Sequence, residues 1–248
     1  MDEKIFTFIL VLTRVSTFFL LLPVFGWTAV PVRIKVAVTV VLSVFFSAMT
    51  TVPAHPEPLS AVKVVILMSN EAVYGLCLGL VLTIMFSAVK VAGQIIEREM
   101  GLSIAEVIDP LTAESSNLLG SLFEMIFIII FLAANGHHFF LLIISRSYDA
   151  FPIGSIPTIP MLAAGITKAG SAMFVAGLRL GAPVLAALLL MSVILAILAR
   201  IVPEMNILFI SLPLRVGVGL LMVIVMLPFI STFTAEFADF TAEILPLR

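Results

Sequence analysis

Residues 172–199 read AMFVAGLRLGAPVLAALLLMSVILAILA, a run in which Arg179 is the sole ionisable side chain. A helix needs about 20 apolar residues to cross a hydrocarbon core of about 30 Å, so this run can span a membrane. Spanning strands would instead show about ten residues of alternating pattern. Comparable apolar stretches lie at 5–25, 34–52, 64–89, 118–134 and 207–230. The sequence therefore predicts about six long apolar helices.

The composition agrees with a membrane protein. Hydrophobic residues make up 62% of the 248 residues and charged residues only 11%, whereas an average soluble domain is about 25% charged. A net charge of −2 offers no basic surface to nucleic acid. The single cysteine, Cys77, excludes an internal disulfide and a multi-cysteine metal site. We predict an all-α polytopic protein with one integral membrane domain over residues 1–248, no cofactor and no nucleic-acid partner.

Motifs of enzyme chemistry are not found in the sequence. His137 and His138 are adjacent, so on a helix they point about 100° apart and cannot bind one metal from the same face. The chain has no His-Glu-x-x-His, no nucleotide-binding loop and no Gly-x-Ser-x-Gly. The sequence therefore indicates a protein that is not an enzyme.

Two charged residues stand out in the apolar runs. Arg14 is near the middle of the first run, where an ionised side chain costs a few kcal/mol unless it is paired or hydrated. Glu71 opens the third run, and Gly75 and Gly79 follow it at spacings of four that permit close helix packing. A structural ion pair and a place in a transport or proton path both remain open. The candidate partners of Glu71 are Arg14, Arg179 and Arg215.

Arg179 has the same small-residue spacing around it. Gly177 and Gly181 flank it, and Pro183 should bend the helix because proline removes a backbone hydrogen bond. Glu124 also lies in an apolar run. We expect helix contacts at these positions.

Residues 91–117 read VAGQIIEREMGLSIAEVIDPLTAESSN, an acidic segment rich in small residues between two apolar runs. Asp109-Pro110 is typical of a helix break, because proline disfavours a helical conformation in the residue before it. The segment is either a solvated loop or a re-entrant loop that lines or plugs a passage, which is possible where protein or water satisfies its backbone.

The positive charges in the loops do not indicate which side of six upright spans would face the cytoplasm. A bias of Lys and Arg normally marks the cytoplasmic side. Here five such residues fall on each side, and this balance suggests something other than an ordinary lipid-embedded bundle. One side would carry Arg33, Lys35, Lys90, Arg98 and Arg200, and the other Lys4, Lys63, Arg146, Lys168 and Arg248.

Several motifs, in order along most of the chain, resemble the FliR family of flagellar biosynthesis proteins, whose relatives also serve virulence type III secretion. The matching stretches are Arg14-Val-Ser-Thr17, Pro23-Val-Phe-Gly26, Pro31-Val-Arg33, Asn70-Glu71 with Gly75 and Gly79, Ala92-Gly93-Gln94, Gly101, Asp109-Pro110, Arg200-Ile-Val-Pro203-Glu204-Met-Asn206-Ile, and Leu212-Pro213. One small departure is Leu208 where the family often has phenylalanine. An apolar exchange should preserve packing there.

The resemblance implies a subunit of the export gate in the bacterial inner membrane, at the flagellar basal body. Its partners would be FliP- and FliQ-like subunits and a neighbouring FlhB-like subunit, and its cargo would be unfolded flagellar proteins. The family's subunit resembles a fusion of its FliP and FliQ partners. Its helices form bent hairpins in a hetero-oligomeric helical assembly rather than six upright spans.

The resemblance also implies roles for individual residues. The family's central loop helps to close the pore, which carries over to Gly101, Ala105, Asp109 and Pro110 within the segment 91–117. The resemblance also implies contacts between subunits at the turn from Pro203 to Asn206, and the charged residues and glycines of the apolar runs add contacts between subunits or between buried charges. These positions are Arg14, Glu71, Gly75, Gly79, Arg179, Arg200, Pro203, Glu204 and Asn206.

Three other interpretations are kept for comparison. A virulence homologue of the same gate would share these motifs, although the motif Pro203-Glu204-Met205-Asn206 favours the flagellar branch. A secondary transporter would use Arg14, Glu71 and Arg179 in its substrate or proton path and would be stable without partner subunits. An intramembrane hydrolase would need a catalytic dyad, and the sequence names none.

Overall fold

The computed structural model describes residues 3–26, 31–50, 60–102, 117–204 and 207–244. Within these ranges the chain forms helices and no strand. The all-α prediction is therefore confirmed. The helices are α1 Glu3–Leu21, α2 Pro23–Gly26, α3 Val32–Met49, α4 Ala61–Met100, α5 Leu118–Ala133, α6 Gly136–Ala150, α7 Ile159–Ile201 and α8 Ile207–Ile244.

Five of the described helices are long and apolar enough to cross a membrane, and a sixth is reached if α5 and α6 count as one broken span. The prediction of about six long apolar helices is thus confirmed, and the chain is a polytopic membrane protein. The candidate spans lie at Lys4–Leu21, Val32–Met49, Ala61–Met100, Ile159–Ile201 and Phe209–Thr234.

Prolines and glycines set several of the helix ends. Pro23 follows the end of α1, Pro31 precedes α3, and Pro203 lies between α7 and α8. Asn135 separates α5 from α6 and has a left-handed backbone with φ 62°, a conformation that asparagine tolerates better than most residues. The apolar residues on either side of Gly136 therefore belong to two helices.

Three helices are longer than their apolar runs. The α4 helix continues through residues 91–100, which the sequence had placed in the central loop, and α7 begins at Ile159 rather than near residue 172. The α8 helix extends to Ile244. Apolar runs mark only the part of a helix that avoids water, whereas a helix continues until its backbone is interrupted.

Gly101 provides that interruption for α4. Its φ is 78°, its N–H donates to the Arg98 carbonyl at 3.0 Å, and the Leu102 N–H donates to the Glu97 carbonyl at 3.2 Å. This is the hydrogen-bond pattern of a Schellman cap, which needs a left-handed residue at the helix end. Gly101, predicted as part of the pore loop, is thus the residue that ends α4.

The chain divides into two compact units, each built from separate segments. Unit 1 contains Met1–Met85, Asn135–Ser171 and Ala238–Arg248, and unit 2 contains Phe86–Ala134 and Ala172–Phe237. The helices α4, α7 and α8 each contribute residues to both units.

Each unit has its own apolar core. In unit 1, buried side chains of α1, α4 and α6 include Leu10, Phe18, Leu82 and Phe140. In unit 2, Phe86, Phe127, Phe131 and Phe237 form an aromatic cluster whose ring centres lie 5.0–6.1 Å apart. Most of these pairs meet edge to face, an arrangement that aromatic quadrupoles favour.

Candidate functional site

Arg14 of α1 and Glu71 of α4 form a buried ion pair in unit 1. The Arg14 Nε donates to Glu71 Oε2 at 2.6 Å, and the two side chains are only 1% and 0% exposed. Bringing both charges out of water is expensive, so the arrangement is stable only if the remaining polar atoms are also satisfied.

Backbone groups near the end of α6 complete the guanidinium shell. One terminal nitrogen of Arg14 donates to the Ser147 carbonyl at 3.1 Å, and the other donates to the Phe151 carbonyl at 3.0 Å. The Ser147 hydroxyl accepts a further, longer bond at 3.3 Å. These carbonyls lie at the carbonyl end of α6, where the helix dipole favours a cation.

The second carboxylate oxygen of Glu71 is also occupied. The Gly154 N–H donates to Glu71 Oε1 at 3.0 Å, and Gly154 has φ 82°, a backbone that favours glycine. The guanidinium carbon of Arg14 lies 4.4 Å from the ring centre of Tyr148 and 5.0 Å from that of Tyr74, within the range of cation–π attraction. The ion pair therefore links α1, α4, α6 and the connection after α6.

Gly75 and Gly79 bring α1 against α4 beside this pair. A Cβ on Gly75 would collide with the Thr17 hydroxyl and the Arg14 carbonyl, and one on Gly79 would lie 2.9 Å from the Phe18 carbonyl oxygen. Only the absence of a side chain allows the two backbones to approach so closely.

In unit 2, Glu97 of α4 holds the start of α5. Its two carboxylate oxygens accept hydrogen bonds from the N–H groups of Leu118 and Leu119, at 3.2 and 3.0 Å. These are first-turn amides, which have no partner within their own helix. Glu97 is 3% exposed, and it thus caps α5 from another helix.

Two further contacts fix the same helix pair. A Cβ on Gly93 would lie 2.7 Å from the Gly120 Cα, and Gln94 Nε2 donates to Asn117 Oδ1 at 3.2 Å. A half-exposed ion pair joins Lys90 to Glu124 at 3.0 Å. The two ends of the segment 103–116 are therefore attached to a closely packed pair of helices.

The structure brings together some of the predicted site residues and separates others. Arg14, Glu71, Gly75 and Gly79 form one cluster. Arg179, Arg200, Pro203 and Glu204 are exposed and belong to no such cluster among the described residues. Ala105, Asp109, Pro110 and Asn206 lie outside the described residues.

Sequence reasoning missed Glu97 as a functional candidate. Glu97 follows Gly93 by four residues and therefore shares its helix face, the same spacing that relates Glu71 to Gly75. This signal could have identified it. The carbonyls of Ser147 and Phe151 carry no signal of this kind, because every residue has a carbonyl.

Comparison with known proteins gives a consistent picture. A family model described as bacterial export proteins, family 1, matches residues 5–240. The chain is 34% identical over 239 residues to the flagellar biosynthetic protein FliR of Bacillus subtilis (strain 168), covering 95% of this chain and 92% of that protein. It is 30% identical over 222 residues to FliR of Escherichia coli (strain K12), covering 90% and 84%. FliR of Aquifex aeolicus (strain VF5) is 27% identical over 241 residues, covering 96% and 92%.

Proposed function

The chain belongs to the bacterial export proteins of family 1, and on this premise we propose that it is a subunit of the flagellar protein-export gate in the inner membrane. The observation that carries the proposal is the match of the family to residues 5–240, together with relatives named as flagellar biosynthetic proteins over nearly their full length. The gate passes unfolded flagellar proteins, and FliP- and FliQ-like subunits complete it beside an FlhB-like subunit.

Helix length supports assembly with other subunits. At 1.5 Å per residue, the 43 residues of α7 measure about 64 Å along the helix, roughly twice the thickness of a hydrocarbon core. Ile159 and Ile201, at its two ends, are 72% and 70% exposed, and Leu189 between them is also exposed. A bilayer covers only part of this apolar surface, so partner helices cover the rest.

The Arg14–Glu71 geometry supports a structural role for these charges over a proton path. Glu71 is fully buried, and both of its oxygens accept hydrogen bonds. A carboxylate that relays protons needs access to water, whereas this one is enclosed by protein groups that occupy both of its oxygens. The secondary-transporter interpretation has no comparable support.

We place the pore closure in the segment 101–117, as the family resemblance implies. Residues 103–116 lie outside the described residues, while Glu97, Gln94 and Gly93 hold the two helices to which they are attached. Deleting residues 103–116 from the assembled gate should increase ion leakage across the inner membrane. An equally ion-tight membrane after the deletion would disprove the plug.

A pull-down of tagged protein from its native cells in mild detergent, followed by mass spectrometry, tests the main proposal. We expect FliP- and FliQ-like proteins in one stable complex. Recovery of a stable, monodisperse chain on its own would instead favour a self-contained transporter. The same pull-down tests the turn after α7, because Glu204→Ala should weaken recovery of the partners if this exposed residue contacts them.

A further inference from the structure

Arg179 points away from the helix on which its own segment packs. Gly177 and Gly181 face α4 in unit 2, since a Cβ on Gly177 would lie 3.0 Å from the Ala88 carbonyl oxygen and one on Gly181 would lie 3.9 Å from the Ala92 carbonyl oxygen. Arg179 is two residues from each glycine, which places it about 160° around the helix from both. It is exposed, and no ion pair involves it in the described part of the chain.

The surface around Arg179 is apolar. Val175, which lies on the same side of the helix, and Leu178, next to Arg179 in sequence, are large exposed hydrophobic residues. Ala182, Pro183 and Ala186 are also exposed and are small or compact, which allows another helix to approach. Between Lys168 and Arg200 the sequence contains no other ionisable residue. We refer to Val175, Leu178, Arg179, Ala182, Pro183 and Ala186 as the Arg179 face.

Neither lipid nor water suits this face. In the hydrocarbon, an unpaired arginine is strongly disfavoured. In water, the exposure of the apolar side chains is unfavourable. If Arg179 lay at the level of the lipid headgroups, the apolar side chains on one side of it along α7 would still be in water. Such side chains are exposed both before and after Arg179, from Ile159 to Ile201.

We propose that the Arg179 face binds an apolar helix of a partner subunit that carries an aspartate or glutamate opposite Arg179. Such a helix covers the apolar side chains and supplies the missing negative charge together, which neither a lipid tail nor water does. A guanidinium suits this task because it can bind a carboxylate through two parallel hydrogen bonds. The inference rests on the proposed function, since it requires that partner subunits exist.

The test compares tagged wild type, Arg179→Gln, Arg179→Glu and the control Arg33→Gln, which removes an exposed arginine from α3. Partners are pulled down from native cells and quantified relative to the tagged chain, so that poor expression does not imitate poor binding. Breaking a desolvated charge pair costs about 2–5 kcal/mol, so Arg179→Glu should reduce partner recovery at least about tenfold. Arg33→Gln should recover partners as wild type does.

A photo-cross-linking residue at Leu178 or Ala182 then identifies the partner helix in the wild-type complex. Reversing its acidic residue to lysine should restore recovery with Arg179→Glu, which a merely misfolded chain would not show. If wild type recovers partners and Arg179→Glu recovers them equally, the inference is wrong while the proposed function stands. If wild type recovers none, the proposed function itself fails. Cross-links to phospholipid alone would assign the face to lipid headgroups and overturn the inference.

Discussion

At the scale of single residues, Arg14 and Glu71 show how a membrane protein can bury full charges. Each donor nitrogen of Arg14 and each oxygen of Glu71 has a partner, and two tyrosine rings cover the guanidinium. The hydrogen bonds offset the cost of removing both charges from water. The pair therefore matters for stability mainly because the loss of one partner leaves the other charge buried and unpaired.

We therefore predict a large loss of stability for Glu71→Gln. The substitution leaves a buried guanidinium without a counter-charge, which costs about 3–5 kcal/mol. The thermal midpoint of the detergent-solubilised complex should fall clearly. Size-exclusion chromatography after heating measures this midpoint. Asp149→Asn is a matched control in the same unit, because Asp149 is exposed and its substitution should leave the midpoint unchanged. An unchanged midpoint for Glu71→Gln would contradict a stabilising role for the pair.

The sequence predicted part of this site. An arginine within an apolar run required a partner, and Glu71 was among the charged residues able to supply one. Glu71 could equally have paired with Arg179 or Arg215, because these residues are far apart along the chain and spacing alone does not decide such a pairing. The Gly154 amide and the two α6 carbonyls were not predictable, since backbone groups have the same chemistry at every position.

At the scale of helices, glycine determines where two backbones meet. A Cβ on Gly75 would clash with the Arg14 carbonyl and the Thr17 hydroxyl of α1, whereas a Cβ on Gly170 would have no neighbouring atom within 4 Å. Gly75→Ala should therefore lower the thermal midpoint of the complex. Gly170→Ala should leave it unchanged or raise it, because alanine favours a helix by about 1 kcal/mol over glycine. Equal effects of the two substitutions would show that the α1–α4 contact tolerates a side chain.

The cap that Glu97 provides to α5 gives a local prediction. Glu97→Ala leaves the Leu118 and Leu119 amides without their acceptor and should cost about 0.5–2 kcal/mol, as the loss of a helix cap does. Hydrogen exchange measured by mass spectrometry should become faster in peptides covering the first turn of α5.

Two matched variants make this prediction specific. Glu97→Gln keeps one acceptor oxygen and should show a smaller increase in exchange. Glu99→Ala alters an exposed neighbour on α4 and should show none. Unchanged exchange in Glu97→Ala would mean that the first turn of α5 is held by other contacts.

At the scale of the whole molecule, three helices expose much apolar surface. Large hydrophobic residues are exposed along α3, α7 and α8, and only 11% of the span in α3 and 17% of an 18-residue apolar stretch of α7 is buried. Surfaces of this extent normally mark contacts with lipid or with other proteins.

This surface leads to a prediction for the isolated chain. When it is expressed without its partner subunits, it should elute from a size-exclusion column as aggregates, because detergent replaces partner helices poorly over such long faces. Co-expression with the other gate subunits should shift it to a discrete complex. A monodisperse isolated chain would show that the exposed helices need lipid alone.

The sequence by itself determined the class of the protein, the positions of the apolar parts of the long helices and the family, because apolar runs, prolines and ordered motifs are local in the chain. Only the tertiary structure decided that Glu71 pairs with Arg14, that Glu97 caps α5 and that α4, α7 and α8 each contribute to two units. The pairing and the cap join residues 21 to 57 positions apart, and the cap depends on backbone amides. Hydropathy and spacing report on neither, since they describe side chains along one segment and not the surfaces that distant segments present to each other.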